Sequence, residues 1–233
     1  MINLGITRIP TNKFQKKHDH MDHSHPSHPK KVSFPERCDE FAEFLGIFFG
    51  ECSISDRPPV ITISLSYSKE REYALFIKKL IGRLFKVKAG MVRIKGTDNI
   101  HVRIYRVNLV RFFETNIERN TGFPKWIKEN PRYLTSCLRG MMDSEVSIYR
   151  VERGKRRIRM ELKIFNPELL EDVYRALESF GFHPRIYRTR NKVILARQEE
   201  VDRYFREIGF HNSKHIKKYL FLRGIQSSIA PVV

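Results

Sequence analysis

The sequence predicts an α+β protein made of two αββαββα halves related by a pseudo-twofold axis, each half presenting an antiparallel sheet. Three observations predict it. The stretch FLGIFFGECSI, Phe44 to Ile54, returns as LRGMMDSEVSI, Leu138 to Ile148, at an offset of about 94 residues; Gly46 then matches Gly140, Gly50 matches Ser144, Glu51 matches Glu145 and Ser53 matches Ser147. The same succession of strands and helices follows each copy, which argues for a duplicated unit over a chance match of two helices. Late in each succession, Arg111-Phe112-Phe113 has its counterpart in Arg203-Tyr204-Phe205, at an offset of about 92.

Taken in order, residues 1–33 differ in composition from the rest. They carry His18, His20, His23, His25 and His28 among Asp, Ser and Pro, then Lys30 and Lys31, and read as a disordered basic tail that brushes along phosphate. A His-rich run is also a transition-metal binder by composition. The first half, 34–118, opens with the repeated helix. VITISLSY then alternates as a strand, Glu70 to Phe85 has helical spacing, MVRIK and IHVRIY alternate again, and LVRFFETNI is helical. Residues 119–130, with Gly122 and Pro124 and followed by Pro131, read as a linker. The second half, 131–222, repeats the plan: the repeated helix, RRIRMELKIF as strand, Pro167 to Phe180 as helix, PRIYR and KVILA as strands, EVDRYFREI as helix. Residues 223–233 form a C-terminal tail.

A chain of 233 residues with 41% hydrophobic composition is long enough to bury a real core. Its 44 Lys and Arg against 26 Asp and Glu give a formal charge of +18, spread along the whole length. That balance points to a polyanionic partner, because Lys and Arg gain affinity for nucleic acid by releasing condensed counterions. No apolar run approaches the roughly 20 residues of a spanning helix, so no membrane partner is expected. Cys38, Cys52 and Cys137 are an odd set without a CxxC pair, and nothing resembles a signal peptide. An intracellular setting fits, cytoplasmic or nucleoid-associated, with an organellar host left open.

The repeated helices carry the chemistry. A Gly inside a helix costs about 1 kcal/mol relative to Ala, yet Gly46 and Gly50 sit four apart, and Gly140 and Ser144 repeat the spacing. Small residues so placed let two backbones approach closely, so the two helices are expected to pack on each other along the axis. Each then ends in a carboxylate, Glu51 or Glu145, where the helix dipole disfavours negative charge. Like charges set twice in an unfavourable place imply a cation between them, and a hard divalent ion held by one or two carboxylates, phosphate oxygens and water is the natural one.

The strands separate apolar from polar positions. Ile61, Ile63 and Leu65 alternate with Thr62, Ser64 and Ser66; Val92, Ile94, Val102 and Ile104 with Arg93, Lys95, His101 and Arg103; Ile158, Met160, Leu162 and Ile164 with Arg157, Arg159, Glu161 and Lys163. The polar sets, with Ser53 and Ser147 just past the acids, are residue types that reach base edges. Arg185, Tyr187, Arg188, Arg190 and Lys192 extend the face, with the register of KVILA left open, and KHIKKY near the C-terminus suits phosphates. Phe48, Phe49, Phe76, Phe85, Phe112, Phe113, Tyr204 and Phe205 read as core.

FLGIFFGEC and LRGMMDSEV resemble the two signature helices of the LAGLIDADG homing endonucleases, and the chain from Cys38 to Leu222 follows that family's two-repeat layout, closing on VDRYFREIGFHNSKHIKKYL. The resemblance implies two sheets forming a saddle over the major groove of double-stranded DNA. It also implies a monomer that makes staggered double-strand cuts with Mg²⁺ or Mn²⁺ bound by Glu51 and Glu145. This chain departs from the pattern in having Glu at both acid positions and in replacing the Gly after the acid by Cys52 and Val146. Alignment places the family's basic residue at Arg103 in the first half, with catalytic support from Lys95, and at Leu195 with Arg197 nearby in the second. A nuclease-dead relative, acting as an RNA maturase or transcription regulator, stands as the alternative. No protein-splicing block is seen, so a free-standing, intron-encoded enzyme is the simpler form of the expectation.

Overall fold

Two four-stranded antiparallel sheets of the same strand order form the frame. The structure, a computed structural model, describes residues 32–117, 121–151 and 157–225. The His-rich stretch expected as a metal-binding or phosphate-contacting tail, and the last eight residues of the C-terminal tail, 226–233, lie outside the described residues.

The first half runs α1 (Asp39–Glu51), β1 (Cys52–Asp56), β2 (Pro59–Ser66), α2 (Tyr67–Phe85), β3 (Gly90–Arg93), β4 (Asn99–Ile104) and α3 (Val107–Asn116), with sheet order β1-β2-β4-β3. Between the halves lies the short helix α4 (Lys125–Lys128). The second half runs α5 (Pro131–Glu145), β5 (Val146–Arg150), β6 (Ile158–Lys163), α6 (Pro167–Ser179), β7 (Arg185–Tyr187), β8 (Lys192–Leu195) and α7 (Gln198–Glu207), with order β5-β6-β8-β7. A final helix, α8 (Ser213–Arg223), follows α7, whereas among the described residues α3 is followed only by the four-residue α4 before α5 begins.

Local chemistry explains the helix starts. Asn130 caps α5 by accepting the Arg132 N–H at 3.0 Å, with Pro131 in the first turn, and Asn166 with Pro167 does the same for α6. The first turn of α2 is pinned by Asp98, which accepts hydrogen bonds from the hydroxyls of Ser66 and Ser68 at 2.7 and 2.8 Å. The stretch expected as a linker is packed: Phe123 and Ile127 are buried, and Trp126 stacks on Phe41 at 5.9 Å.

One face of each sheet is covered by helices. Ile61, Ile63, Leu65, Val102 and Ile104 are buried there in the first half, and Ile158, Met160, Leu162, Val193 and Leu195 in the second. Aromatics fill the first core, with Phe48 and Phe113 stacked at 4.6 Å beside Phe44 and Phe85. Opposed residues of an antiparallel pair share a face. The opposite, polar faces therefore carry Ser53, Thr62, Ser64, Ser66, His101 and Arg103 in one half, and Ser147, Tyr149, Arg159, Glu161, Lys163, Arg185, Tyr187 and Lys192 in the other.

Strand β3 corrects the expected alternation. Val92 pairs with His101 and Arg93 with Ile100, so Val92 is 40% exposed on the polar face while Arg93 turns to the helix side. The Arg93 guanidinium lies over the Tyr67 ring at 4.1 Å, a cation–π seat. A four-residue edge strand of sequence Gly-Met-Val-Arg fixes its register weakly, and contact with α2 decides it. In β8 the register left open is settled by pairing of Glu161 with Ile194 and Lys163 with Lys192.

Candidate active site and nucleic-acid interface

Helices α1 and α5 meet along their small residues. A methyl group placed on Gly46 would lie 2.0 Å from the Cys137 carbonyl oxygen, and one on Gly140 would lie 2.2 Å from the Glu43 carbonyl oxygen. Residues 43 and 137 match in the repeat, so the two contacts are the same contact seen from either side of the axis. Further along, a methyl on Gly50 would strike the Ser144 Cβ at 2.8 Å and sit 3.2 Å from Glu145 Oε1. The Glu145 carboxylate therefore lies against the backbone of the residue that precedes Glu51.

Both acids are the last helical residues before an extended segment, Cys52 at φ −87° and Val146 at φ −74°. Neither helix has a basic residue in its last turn to offset the dipole. Burial pushes the Glu51 carboxyl up to about 7, reinforced by repulsion from Glu145 and Glu70. Burial raises Glu145 as well, with Lys214 pulling the other way. Two half-buried carboxylates with surplus negative charge are the donor set a divalent cation takes, so the residues present fit Mg²⁺ or Mn²⁺.

Around this pair lies a polar network that sequence reading missed. Asp143, fully buried, accepts the backbone N–H groups of His211 and Asn212 at 3.1 and 2.9 Å, and its carbonyl accepts the Asn212 amide at 3.1 Å. Burial pushes Asp143 up to about 7 against those two donors. Glu43 accepts hydrogen bonds from Arg139 at 3.2 and 3.3 Å and contacts the His211 ring. Glu43, Asp143 and His211 come within 4.8 Å of one another and are ligand types, but these hydrogen bonds already account for their grouping. The network clamps the α7–α8 loop onto the paired helices and so fixes where α8 begins.

There Lys214 enters. Its ammonium donates to Glu70 Oε1 at 2.6 Å, and Glu70 also accepts the Asn212 side-chain amide at 2.8 Å and the Ser66 N–H at 2.8 Å. Burial raises Glu70, yet the hydrogen bonds from Lys214, Ser66 and Asn212 outweigh it and hold the carboxyl below its usual value. The one signal in the sequence was Asn212-Ser213 ahead of a helical run, a capping pattern that locates the start of α8.

The residues expected as basic catalytic groups are placed apart. Arg103 lies in the row Ser53–Thr62–Arg103 across the sheet, two strands from the residue that follows Cys52. It donates to His101 Nδ1 at 3.0 Å, and burial together with the Arg103 charge holds that imidazole below its usual value. Lys95 sits in the β3–β4 turn beyond Asn99, about 13 Å along β4 from Arg103 at ~3.3 Å per residue. In the second half the position equivalent to Arg103 is Ile194, since Thr62–Arg103 and Glu161–Ile194 are matching pairs; Leu195 faces the core and Arg197 lies beyond the strand.

The interface residues also divide. Ser66 is occupied in capping α2 and bonding Asp98. Glu161 is held by Tyr149 at 2.8 Å and by Lys192. Arg188 belongs to a 3₁₀ turn, Arg188–Arg190, and donates to Glu171 of α6 at 2.9 Å, on the helix side; it therefore leaves the polar face. Arg190 is exposed in the same turn. Arg157, Arg159, Arg185 and Arg197 line one cleft of about 550 Å³ with His183.

Two αββαββα halves, joined through small-residue helices that each end in a carboxylate, define the LAGLIDADG fold. Residues 132–209 match the LAGLIDADG-like domain, and solved structures similar to the chain share its fold. The structure of I-DmoI in complex with DNA and Mn is similar at 20% identity and a TM-score of 0.50, over 73% of this chain and 96% of that one. The N-terminal LAGLIDADG domain of WhiA is similar at 17% identity and a TM-score of 0.55, over 79% and 89%. In sequence, a probable translation initiation factor IF-2 of Thermococcus kodakarensis is 23% identical over 178 residues, 76% of this chain, and the match spans only 15% of that protein's length. Among the described residues no helix is long and apolar enough to cross a membrane.

Proposed function

We propose that the protein is a site-specific endonuclease that hydrolyses phosphodiester bonds in both strands of duplex DNA with Mg²⁺ or Mn²⁺, acting as a monomer. The observation that carries this reading is the meeting of Glu51 and Glu145 where α1 and α5 converge, one from each half and each directly ahead of the first strand of its sheet. The two carboxylates would hold the metal, which when bound supplies an activated water and charge neutralisation at the leaving oxygen. The chain's own part is orientation. The glycine contacts fix the distance between the acids, and the polar faces hold the duplex through Arg and Lys contacts to guanine and phosphate, with Ser and Thr contacts to several bases. Arg103, in the row beside the first acid's strand, is the expected contact to phosphate nearest the cut. Lys95 and Arg157, on turns at the sheet ends, suit flanking phosphates.

I-DmoI has been determined with DNA together with Mn and with Ca, which supports the same use of the fold here. The similarity to WhiA, at the higher TM-score, favours a second reading in which the chain binds nucleic acid without cutting. The experiment that separates them is incubation of the full chain with Mg²⁺ or Mn²⁺ and a supercoiled plasmid library carrying randomised inserts. Recovery of linear product with a shared insert sequence supports the endonuclease. Enrichment of bound but intact plasmid supports the binding protein.

A further inference from the structure

We propose that Lys214 is a third member of the acidic centre: an ammonium tethered to Glu70 beside Glu51 and Glu145, which balances the carboxylates in the metal-free protein and is held ready for the phosphate being cut. The inference rests on the endonuclease reading and deepens it by naming a positioning residue that the repeat does not predict.

Three independent features place Lys214 there. Helix α8 lies beyond the last element of the second αββαββα unit, yet its start is fixed to the paired helices by the hydrogen bonds that Asp143 accepts from the backbone N–H groups of His211 and Asn212. The Lys214 ammonium reaches across to the first half and donates to Glu70 Oε1 at 2.6 Å, while Asn212 and the Ser66 N–H complete the coordination of that carboxylate. Finally, Lys214 lines a groove of about 570 Å³ together with Val146 and Ser147, the two residues that follow Glu145, and with Lys69, Lys217 and Lys218. An ammonium has three donors, and Glu70 engages one of them.

The charge balance gives the arrangement its meaning. Glu51, Glu145 and Glu70 bring three carboxylates to a partly buried place where neither α1 nor α5 supplies a cation. The field of Lys214 opposes the effect of burial at both Glu51 and Glu145. A lysine so placed acts in two opposite directions toward a bound cation and a bound phosphate. It repels the metal and weakens its hold; it attracts the negative charge that grows on phosphate as the bond breaks. Because it comes from one half only, it also breaks the symmetry of the centre.

That pair of opposite effects is the test, and a merely structural lysine would not produce it. Metal-free full-length protein is titrated with Mn²⁺ alone, following free Mn²⁺ by electron paramagnetic resonance, for wild type, Lys214→Met, Lys214→Gln and Lys214→Arg. Lys214→Met and Lys214→Gln are expected to bind Mn²⁺ about three- to tenfold more tightly, as expected on removing a like charge several ångströms away at intermediate dielectric. On a plasmid site recovered from the library above they are expected to cut about 100-fold more slowly, and Lys214→Arg to restore most of both properties. Unchanged or weaker Mn²⁺ binding in folded Lys214→Gln, or undiminished cutting, overturns the role of Lys214 while leaving the endonuclease standing. Wild-type protein that binds no Mn²⁺ and cuts no plasmid overturns the endonuclease reading and this inference with it.

Discussion

The two halves share strand order and register but differ in what their polar faces present. Across matching rows, Ser53–Thr62–Arg103–Gly90 in the first half becomes Ser147–Glu161–Ile194–Arg185 in the second. Short hydroxyls dominate the first face, with Arg103 as its central cation. The second carries Arg159, Lys163, Arg185 and Lys192, two tyrosines, and a carboxylate held between Tyr149 and Lys192. The helix pair behaves in the opposite way, because Gly46 and Gly140 make the same contact with nearly the same closeness. Duplication has thus been kept strictly where two backbones touch and relaxed where side chains face outward. Close packing tolerates no added atom, whereas a solvent-facing strand position accepts any side chain that suits the pleat.

The comparison can be broken most forcefully at the acids. If the halves contribute equally to the centre, Glu51→Gln and Glu145→Gln should each lower double-strand cleavage by about 10³-fold or more, with duplex affinity within a few-fold of wild type. A plasmid linearisation time course checks this, and normal linearisation by either variant removes that carboxylate from the chemistry. The helix contact comes next. Gly46→Leu and Gly140→Leu should each cost at least about 3 kcal/mol by forcing backbones apart. Gly82→Ala, where the added methyl meets nothing nearer than 3.8 Å, should instead stabilise by about 0.5–1 kcal/mol. Chemical denaturation of the three variants reads both signs, and an unperturbed Gly46→Leu would deny the close approach.

A smaller effect tests the outward faces. Arg159→Ala, Arg185→Ala and Arg103→Ala should each weaken duplex binding by about 1–3 kcal/mol. Arg93→Ala should change it little, because that guanidinium lies on Tyr67 behind the sheet. Fluorescence anisotropy at fixed salt decides between them; a loss at Arg93 equal to that at Arg103 would restore the alternation expected from sequence.

The subtlest effect is on pH. The Glu51 carboxyl holds its proton more tightly in the folded chain, up to about 7, than in the unfolded one near 4.5. The stability this lends is full below 4.5 and is lost as pH rises through 7. Metal-free Glu51→Gln, which cannot ionise, should therefore melt higher than wild type at pH 8 and much the same at pH 4.5. Equal melting temperatures at pH 8 would show that burial and the neighbouring acids do not strain Glu51.

Much of this architecture can be read from the chain because repetition is a strong signal. A helix returning after about 94 residues with Gly and Glu in the same places states the layout of each half and the pairing of the acids. Alternation served well in β2, β4 and β6, where one face is buried along six or more residues. It failed in β3, whose four residues left the choice to Tyr67, and at Arg188, whose turn folds back to Glu171. The second-half basic position was misplaced by one residue, since Ile194 and Leu195 are both apolar and only hydrogen-bonded pairing tells them apart.

By itself, the sequence determined the class of fold, the two helices that meet and the acids that end them, because steric and periodic constraints act through neighbours a few residues apart. Only the tertiary structure decided what surrounds those acids. Glu70 and Lys214 are 144 residues apart and hydrogen-bonded, and Asp143 reaches His211 and Asn212 across 68 and 69 positions. Electrostatic partners chosen by folding leave no period in the chain, since a charge acts through space on whatever the packing brings near it.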